Sequence, residues 1–245
     1  MRVVFWNIRQ GGGATRTPEL ILAVLALEPD VVALAEFRAR GRGDTWSGPL
    51  VDVGLVHALR SDAGVGHNGV CIASRWPLRA QGVRASARLL AAEVLCNAAR
   101  GEHATADGRW SLLVAHVPSE EQARSRVEHL RALREWGASH AGGPALLVGD
   151  LNTSRAGLDV PRAGQKHEAL LGEVWTTGLR DVWHEQGGSH TQTSWRGPMG
   201  ERQRLDTALA SPALLTQGVR LRYVDEPELS DHAGVVVEWG GDTRE

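Results

Sequence analysis

Carboxylates, amides and imidazoles recur at the ends of apolar runs along this chain. Asn7 follows Val3-Val4-Phe5-Trp6, Glu36 follows Val31-Val32-Ala33-Leu34-Ala35, and His116 follows Leu112-Leu113-Val114-Ala115. Asp150 and Asn152 close the run Ala145-Leu146-Leu147-Val148-Gly149; Asp206 sits near the start of another, and Asp231-His232 stand just before Val235-Val236-Val237. Successive side chains on an extended backbone alternate faces, so Asp150 and Asn152 share one face while Leu151 takes the other. Each of these residues alone is an ordinary strand-end or turn residue, because Asx side chains punctuate strands everywhere. Their repetition points instead to a site, since rigid folds place function where chains leave the sheet edge. Carboxylates and amides without soft ligands favour a hard cation, Mg²⁺ or Mn²⁺. Acids and histidines beside such a cation suit a substrate that develops negative charge on oxygen, and therefore hydrolysis of a phosphoric ester.

Extended segments must carry these groups. Beside the runs already named, Gly69 to Ser74, Leu89 to Ala98, Arg204 to Ala210 and Val219 to Tyr223 have the composition of strands, and residues 51–59 alternate like one. Thr191 to Trp195 gives a further strand before a hairpin loop at Gly197-Pro198-Met199-Gly200. Thr17 fits an N-cap and Pro18 the first position of a helix with apolar residues at 20, 21, 24, 25 and 27, closed by Pro29. A second helix opens at Pro118-Ser119, with Val127, Leu130 and Leu133 on one side and Arg124, Glu128 and Arg131 on the other; His129 is expected on its surface and His140 in its last turn. Shorter helical stretches are expected near His167 to Leu171 and Leu179 to His184. Gly11-Gly12-Gly13 lacks the lysine and spacing of a phosphate-binding loop and signals flexibility. Strands are plentiful and no linker divides them, so one domain over residues 1–245 is expected.

The charge balance of −2 argues against a dominant non-specific nucleic-acid binder, although a local basic rim would be hidden in it. Positive charge is almost all arginine, Lys166 being the sole lysine, and the arginines at 38–42, 155, 162 and 196–204 are candidates to rim a phosphate groove. Cys71 and Cys96 lie in apolar contexts and are expected as buried free thiols, which fits a reducing compartment. The chain opens on a strand rather than a signal sequence, and its longest apolar stretch is too short to span a bilayer, so a cytoplasmic location without a membrane segment is expected.

Phe5-Trp6-Asn7, Ala35-Glu36-Phe37, Gly69-Val70 with Ser74-Arg75, Ala115-His116-Val117-Pro118, Gly149-Asp150-Leu151-Asn152, Arg204-Leu205-Asp206 and Ser230-Asp231-His232 follow one another in order. This series resembles the endonuclease/exonuclease/phosphatase superfamily, over essentially the whole chain. The resemblance implies an α/β (α+β) fold, a four-layer αββα sandwich of two mixed β-sheets flanked by helices. It implies that Glu36 is the principal metal ligand, with Asn7 beside it and Asp231 a further ligand. It makes Asp150 the residue that orients or deprotonates the attacking water, and Asn152 the holder of that water or of the phosphate. His232 would hydrogen-bond a phosphoryl oxygen with Asp206 fixing its tautomer, and His116 would stabilise developing charge or protonate the leaving oxygen. Three positions depart from the usual pattern: Ala35 where glutamine is frequent, Ile8-Arg9-Gln10-Gly11 after the first asparagine, and Thr207 after Asp206. They leave the branch of the family open.

The leading expectation for substrate is nucleic acid, DNA or RNA cut at phosphodiester bonds, with Trp195 near the site more suited to core packing than to base stacking. The alternative is a small or lipid-linked phosphate ester. A metal-free binding module has no need of the intact acid–histidine set. A monomer is the favoured state.

Overall fold

A computed structural model describes residues 1–38, 45–64, 66–83, 86–96, 108–157, 159 and 167–240. In chain order the elements are β1 (Arg2–Asn7), α1 (Gly13–Ala26), β2 (Val31–Phe37), α2 (Ser47–Asp52), β3 (His57–Arg60), β4 (Gly69–Ser74), β5 (Leu78–Gln81), β6 (Leu89–Leu95) and β7 (Arg109–His116). A 3₁₀ turn then leads to α3 (Ala123–His140), β8 (Ala145–Asp150), α4 (Glu168–Trp175), β9 (Arg180–Asp181), α5 (Val182–Glu185), β10 (Trp195–Arg196), β11 (Arg202–Gln203), β12 (Asp206–Ala210), α6 (Pro212–Leu215), β13 (Arg220–Val224) and β14 (Gly234–Glu238).

These strands form two six-stranded mixed sheets, ordered β13-β14-β1-β2-β4-β3 and β5-β6-β7-β8-β12-β9, with β10-β11 as a separate ribbon. Alternation along each strand explains the layering. In β1, Val3 and Phe5 point inward to meet Leu112, Val114, Leu146 and Val148 of the second sheet, while Val4 and Trp6 point outward against Leu20, Ile21 and Val24 of α1. The outer face of the second sheet, including Leu113 and Leu147, packs on Leu130, Leu133 and Trp136 of α3 and on Leu171 and Val174 of α4. The result is the four-layer αββα sandwich.

Each sheet contains one parallel pair joined by a crossover helix: β1-α1-β2 in the first and β7-α3-β8 in the second. Both pairs end at the same edge, so the carboxyl ends of four strands deliver Asn7, Glu36, His116 and Asp150 together. Such edges, where parallel strands end, are where open α/β sheets bind ligands. Gly149 is required for the close approach of β7 to β8, because a Cβ there would lie 2.3 Å from the Ala115 carbonyl oxygen.

Several local expectations are corrected. Helix α1 begins at Gly13 after a left-handed Gly12, so Thr17 is a buried interior residue rather than the cap and Pro18 lies inside the helix. The Thr17 hydroxyl bonds the Gly13 carbonyl, and five consecutive positive φ angles over residues 9–13 make the triple-glycine segment a defined turn. Residues 51–59 split between the end of α2 and the start of β3, because Leu50 and Leu55 are buried from a helix and its exit. The strand expected at Thr191 to Trp195 is confined to Trp195–Arg196. His129 is buried rather than on the surface, its ring nitrogens 2.6 Å from Ser86 Oγ and the Ser125 carbonyl. Cys71 and Cys96 are free and buried, and burial pushes the Cys71 thiol up to about 12. Among the described residues no helix is long and apolar enough to cross a membrane.

Candidate active site

Register alone lines up three of the site residues. His116 stands opposite Asp150 across the parallel pair, and Asp206 stands opposite Asp150 on the antiparallel side. The loop before β14 brings His232 over this row, held by a bridge between Trp195 and His232 and by a hydrogen bond from Trp6 Nε1 to the His232 carbonyl at 2.9 Å. Ser230 Oγ donates to the Asn7 carbonyl and accepts from the His232 backbone N–H, tying that loop to β1.

Asp150 is the hub. It is 1% exposed. Its Oδ2 accepts from Asn7 Nδ2 at 2.9 Å and Asn152 Nδ2 at 3.2 Å, and lies 3.9 Å from His232 Nε2 and 4.0 Å from His116 Nε2. Its Oδ1 accepts the Asn152 backbone N–H at 3.0 Å. Burial raises its pKa to about 7; the His232 charge opposes this and Asp206 adds to it. Asn152 adopts φ +46°, a conformation asparagine tolerates better than most residues, and its amide also donates to the Val117 carbonyl. Behind it, the fully buried Arg126 donates to the Asn152 carbonyl and to Thr153 Oγ1.

His232 Nδ1 meets both oxygens of Asp206, at 2.9 and 3.1 Å. Burial alone would lower the imidazole pKa, but Asp206 and Asp150 outweigh it and raise it to about 10, so the ring is a cation at neutral pH. His116 goes the other way. Burial, followed by the charges of Arg88 and His232, lowers it to about 3 and keeps it neutral.

Glu36 occupies a register shift between Ala35 and Phe37, with φ +56°. Its Oε2 accepts from the Gln10 backbone N–H at 2.7 Å and from Asn68 Nδ2 at 2.9 Å. Its Oε1 lies 3.4 Å from Asn7 Nδ2 and 3.7 Å from His116 Nε2. Asp231 carries a buried Oδ1 that accepts no hydrogen bond from the described residues, its nearest positive partner being Arg9 Nε at 3.7 Å. An orphaned carboxylate oxygen and a second one weakly engaged are hard donors of the kind that Mg²⁺ or Mn²⁺ takes. Asn7 presents its amide nitrogen to Glu36 and Asp150, while its Oδ1 accepts the Arg9 N–H; turning the amide would offer the oxygen. Asp150, Asp206 and His232 hold ligand atoms within 4.8 Å of one another, and in that trio Asp206 already engages His232 Nδ1.

All eight residues singled out in the sequence therefore lie at one strand edge. Four others hold the site in roles that the sequence reading did not assign. Ser194 Oγ accepts the Leu205 and Asp206 N–H groups, and Ser230 and Arg126 brace loops as described. Asn68 touches Glu36 because Gly69 pairs with Phe37, a long-range register that spacing does not reveal. The expected arginine rim also changes. Arg155 and Arg204 are drawn into a buried network with Asp159 and Asp181, and Arg196 pairs with Asp225. Arg38 bonds Asn68 and Gln10. Positions 40, 42 and 162 lie outside the described residues. Trp195 is half-buried.

This edge of acids, amides and a charged histidine on an αββα sandwich has the makings of a phosphoric ester hydrolase. The model of the Endonuclease/Exonuclease/phosphatase family matches residues 4–232, and the chain belongs to that family, whose members are metal-dependent hydrolases of phosphoric esters. Among solved structures it is similar to a 3′-5′ exonuclease (NExo) from Neisseria meningitidis, with a TM-score of 0.77 at 20% identity, covering 98% of this chain and 100% of that one. It is also similar to an AP endonuclease from Archaeoglobus fulgidus, with a TM-score of 0.75 at 18% identity over 98% and 100% of the two chains. A NExo 3′ phosphatase from Neisseria bound to a product DNA hairpin gives 0.74 at 19% identity over 98% and 99%. No curated protein matches the chain in sequence.

Proposed function

We propose that the chain is a divalent-metal-dependent nuclease that hydrolyses phosphodiester bonds of DNA or RNA, acting as one domain over residues 1–245. The observation that carries this reading is the setting of Asp150, a buried carboxylate raised toward neutrality between an amide pair and a charged histidine. A base with a pKa near the working pH is suited to taking a proton from water. Asp150 accepts that proton, and Asn152, fixed by Val117 and Arg126, orients the water without adding charge. His232, held as a cation by Asp206, donates from Nε2 to a phosphoryl oxygen as negative charge gathers there. His116 is neutral and so stabilises charge by hydrogen bonding rather than by giving up a proton.

Glu36 and Asp231 would hold the metal, with Asn7 bridging Glu36 to Asp150. A bound Mg²⁺ or Mn²⁺ supplies charge neutralisation at the phosphoryl oxygen and a lowered water pKa. The nucleic-acid substrate draws support from structural neighbours that are an exonuclease, an AP endonuclease and a 3′ phosphatase bound to a DNA hairpin. The last of these favours a second reading, a phosphatase on a terminal or small phosphate. A cytoplasmic location is in keeping with two free buried cysteines.

The test is one substrate panel: duplex with an abasic site, plain duplex, single-stranded DNA, RNA and inositol phosphates, beside Asp150→Asn and His232→Ala. Cleavage of a nucleic acid that stops with chelation, returns with Mg²⁺ or Mn²⁺ and fails in both variants supports the proposal. Equal hydrolysis by wild type and both variants refutes the mechanism, and turnover of inositol phosphates alone refutes the substrate.

A further inference from the structure

Resting on the reading of Glu36 as a metal ligand, we propose that Asn68 and Arg38 form a positioning clamp that commits Glu36 to the metal through Oε1 alone. The clamp is a closed ring of hydrogen bonds. Asn68 Nδ2 and the Gln10 N–H both donate to Glu36 Oε2, at 2.9 and 2.7 Å. Arg38 Nε donates to Asn68 Oδ1 at 2.9 Å, which fixes which end of the Asn68 amide faces the glutamate, and Arg38 Nη2 reaches Gln10 Oε1 at 3.4 Å. Oε2 is thus engaged twice, while among the described residues Oε1 accepts one long hydrogen bond, from Asn7, with His116 Nε2 3.7 Å away.

Glu36 needs such a brace. It sits at φ +56° where β2 slips against β4, a backbone conformation that non-glycine residues adopt only when surroundings over-determine it. A carboxylate offering one oxygen suits a small cation that demands near-octahedral geometry; freeing both oxygens favours the bidentate coordination that larger Ca²⁺ accepts. The ring therefore bears on cation choice as well as affinity. Partners that orient metal ligands commonly affect affinity by about 10–100-fold.

The experiment is a Mn²⁺ and Ca²⁺ titration of the full chain by calorimetry, comparing wild type, Asn68→Ala, Arg38→Met and Glu36→Gln, with melting curves in chelator as a fold control. Asn68→Ala is expected to raise the Mn²⁺ Kd about 10-fold and to narrow the preference for Mn²⁺ over Ca²⁺. Arg38→Met gives the sharper sign. Deleting a cation beside a metal site tightens binding by electrostatics alone, whereas loss of the clamp weakens it, and weakening is expected. An unchanged Kd in Asn68→Ala, equal weakening of both cations, or tighter Mn²⁺ binding in Arg38→Met overturns the proposal. If Asn68→Ala melts early in chelator, the sign of the Arg38→Met effect decides alone. Insensitivity of Mn²⁺ binding to Glu36→Gln overturns the underlying metal-site reading and the clamp with it.

Discussion

Asp150, Asp206 and His232 at the strand edge and Asp159, Asp181 and His184 beneath the β9–α5 turn are each two aspartates and a histidine with ligand atoms within 4.8 Å. What separates them is arginine. Arg204 Nη2 reaches Asp159 and Asp181, and its Nε donates to Asp159 Oδ1 at 2.9 Å. Arg155 Nε and Nη2 add bonds to Asp159 and Asp181 at 2.9 and 2.8 Å, with the guanidinium 4.3 Å above the Trp175 ring. His184 accepts from Arg204 in turn, and burial lowers its pKa. In that cluster each aspartate is balanced by a fixed cation. At the strand edge no arginine bonds Asp150 among the described residues, and its charge is balanced only by donors and by His232 across 3.9 Å. A saturated cluster builds the fold; a cluster left short of charge keeps the capacity to take a proton, a cation or a phosphate.

The contrast between the clusters is tested most sharply by Asp150→Asn. Losing a positioned base typically costs about 10²–10⁴-fold in rate, so hydrolysis should fall by that factor in initial-rate assays while the melting temperature holds or rises, since a buried charge is removed. Arg204→Met attacks the other cluster. It leaves two buried carboxylates with Arg155 as their remaining arginine partner, and urea unfolding should show a loss of roughly 3–5 kcal/mol. Metal is expected to act at the strand edge, through Glu36 and Asp231, and to leave the arginine-filled cluster untouched. Mn²⁺ at a hundred times its Kd should stabilise the wild type by about 2.7 kcal/mol, seen as a rise in melting temperature that Glu36→Gln removes.

The smallest effect is the acid limb. Burial would raise Asp159, but the hydrogen bonds and charges of Arg155 and Arg204 outweigh it and hold its carboxyl at about 2, below its ordinary 3.8. A depressed carboxyl contributes stability above its unfolded value and loses it as pH falls through the folded one. About 2 kcal/mol should therefore disappear between roughly pH 4 and pH 2 in wild type. Asp159→Asn should lack that component in the same titration.

The edge cluster was legible in the sequence because its residues end apolar runs. A strand that stops in Asp150 or Glu36 announces both the element and the group it carries. The saturated cluster was not legible. Arg155 and Asp159 sit in an irregular loop and Arg204 before a strand, so only their convergence on Asp181 reveals a buried network, and by composition they looked like a phosphate rim. Asn68 was hidden for the same reason, since its contact with Glu36 depends on the slipped pairing of β2 with β4. The two sheets were legible as strand content, whereas Thr17 misled because a threonine before proline has the look of a cap even when the helix has begun four residues earlier.

The most direct measurement is a matched pair, Asp150→Asn and Asp159→Asn, each assayed for hydrolysis of the nucleic acid that the wild type cleaves fastest and for unfolding free energy in urea. Asp150→Asn is expected to lose about 10²–10⁴-fold in rate and to keep its stability. Asp159→Asn is expected to stay within about tenfold of the wild-type rate while losing about 2 kcal/mol of stability. A folded but inactive Asp159→Asn, or an Asp150→Asn that turns over like the wild type, would contradict this division between a working cluster and a structural one.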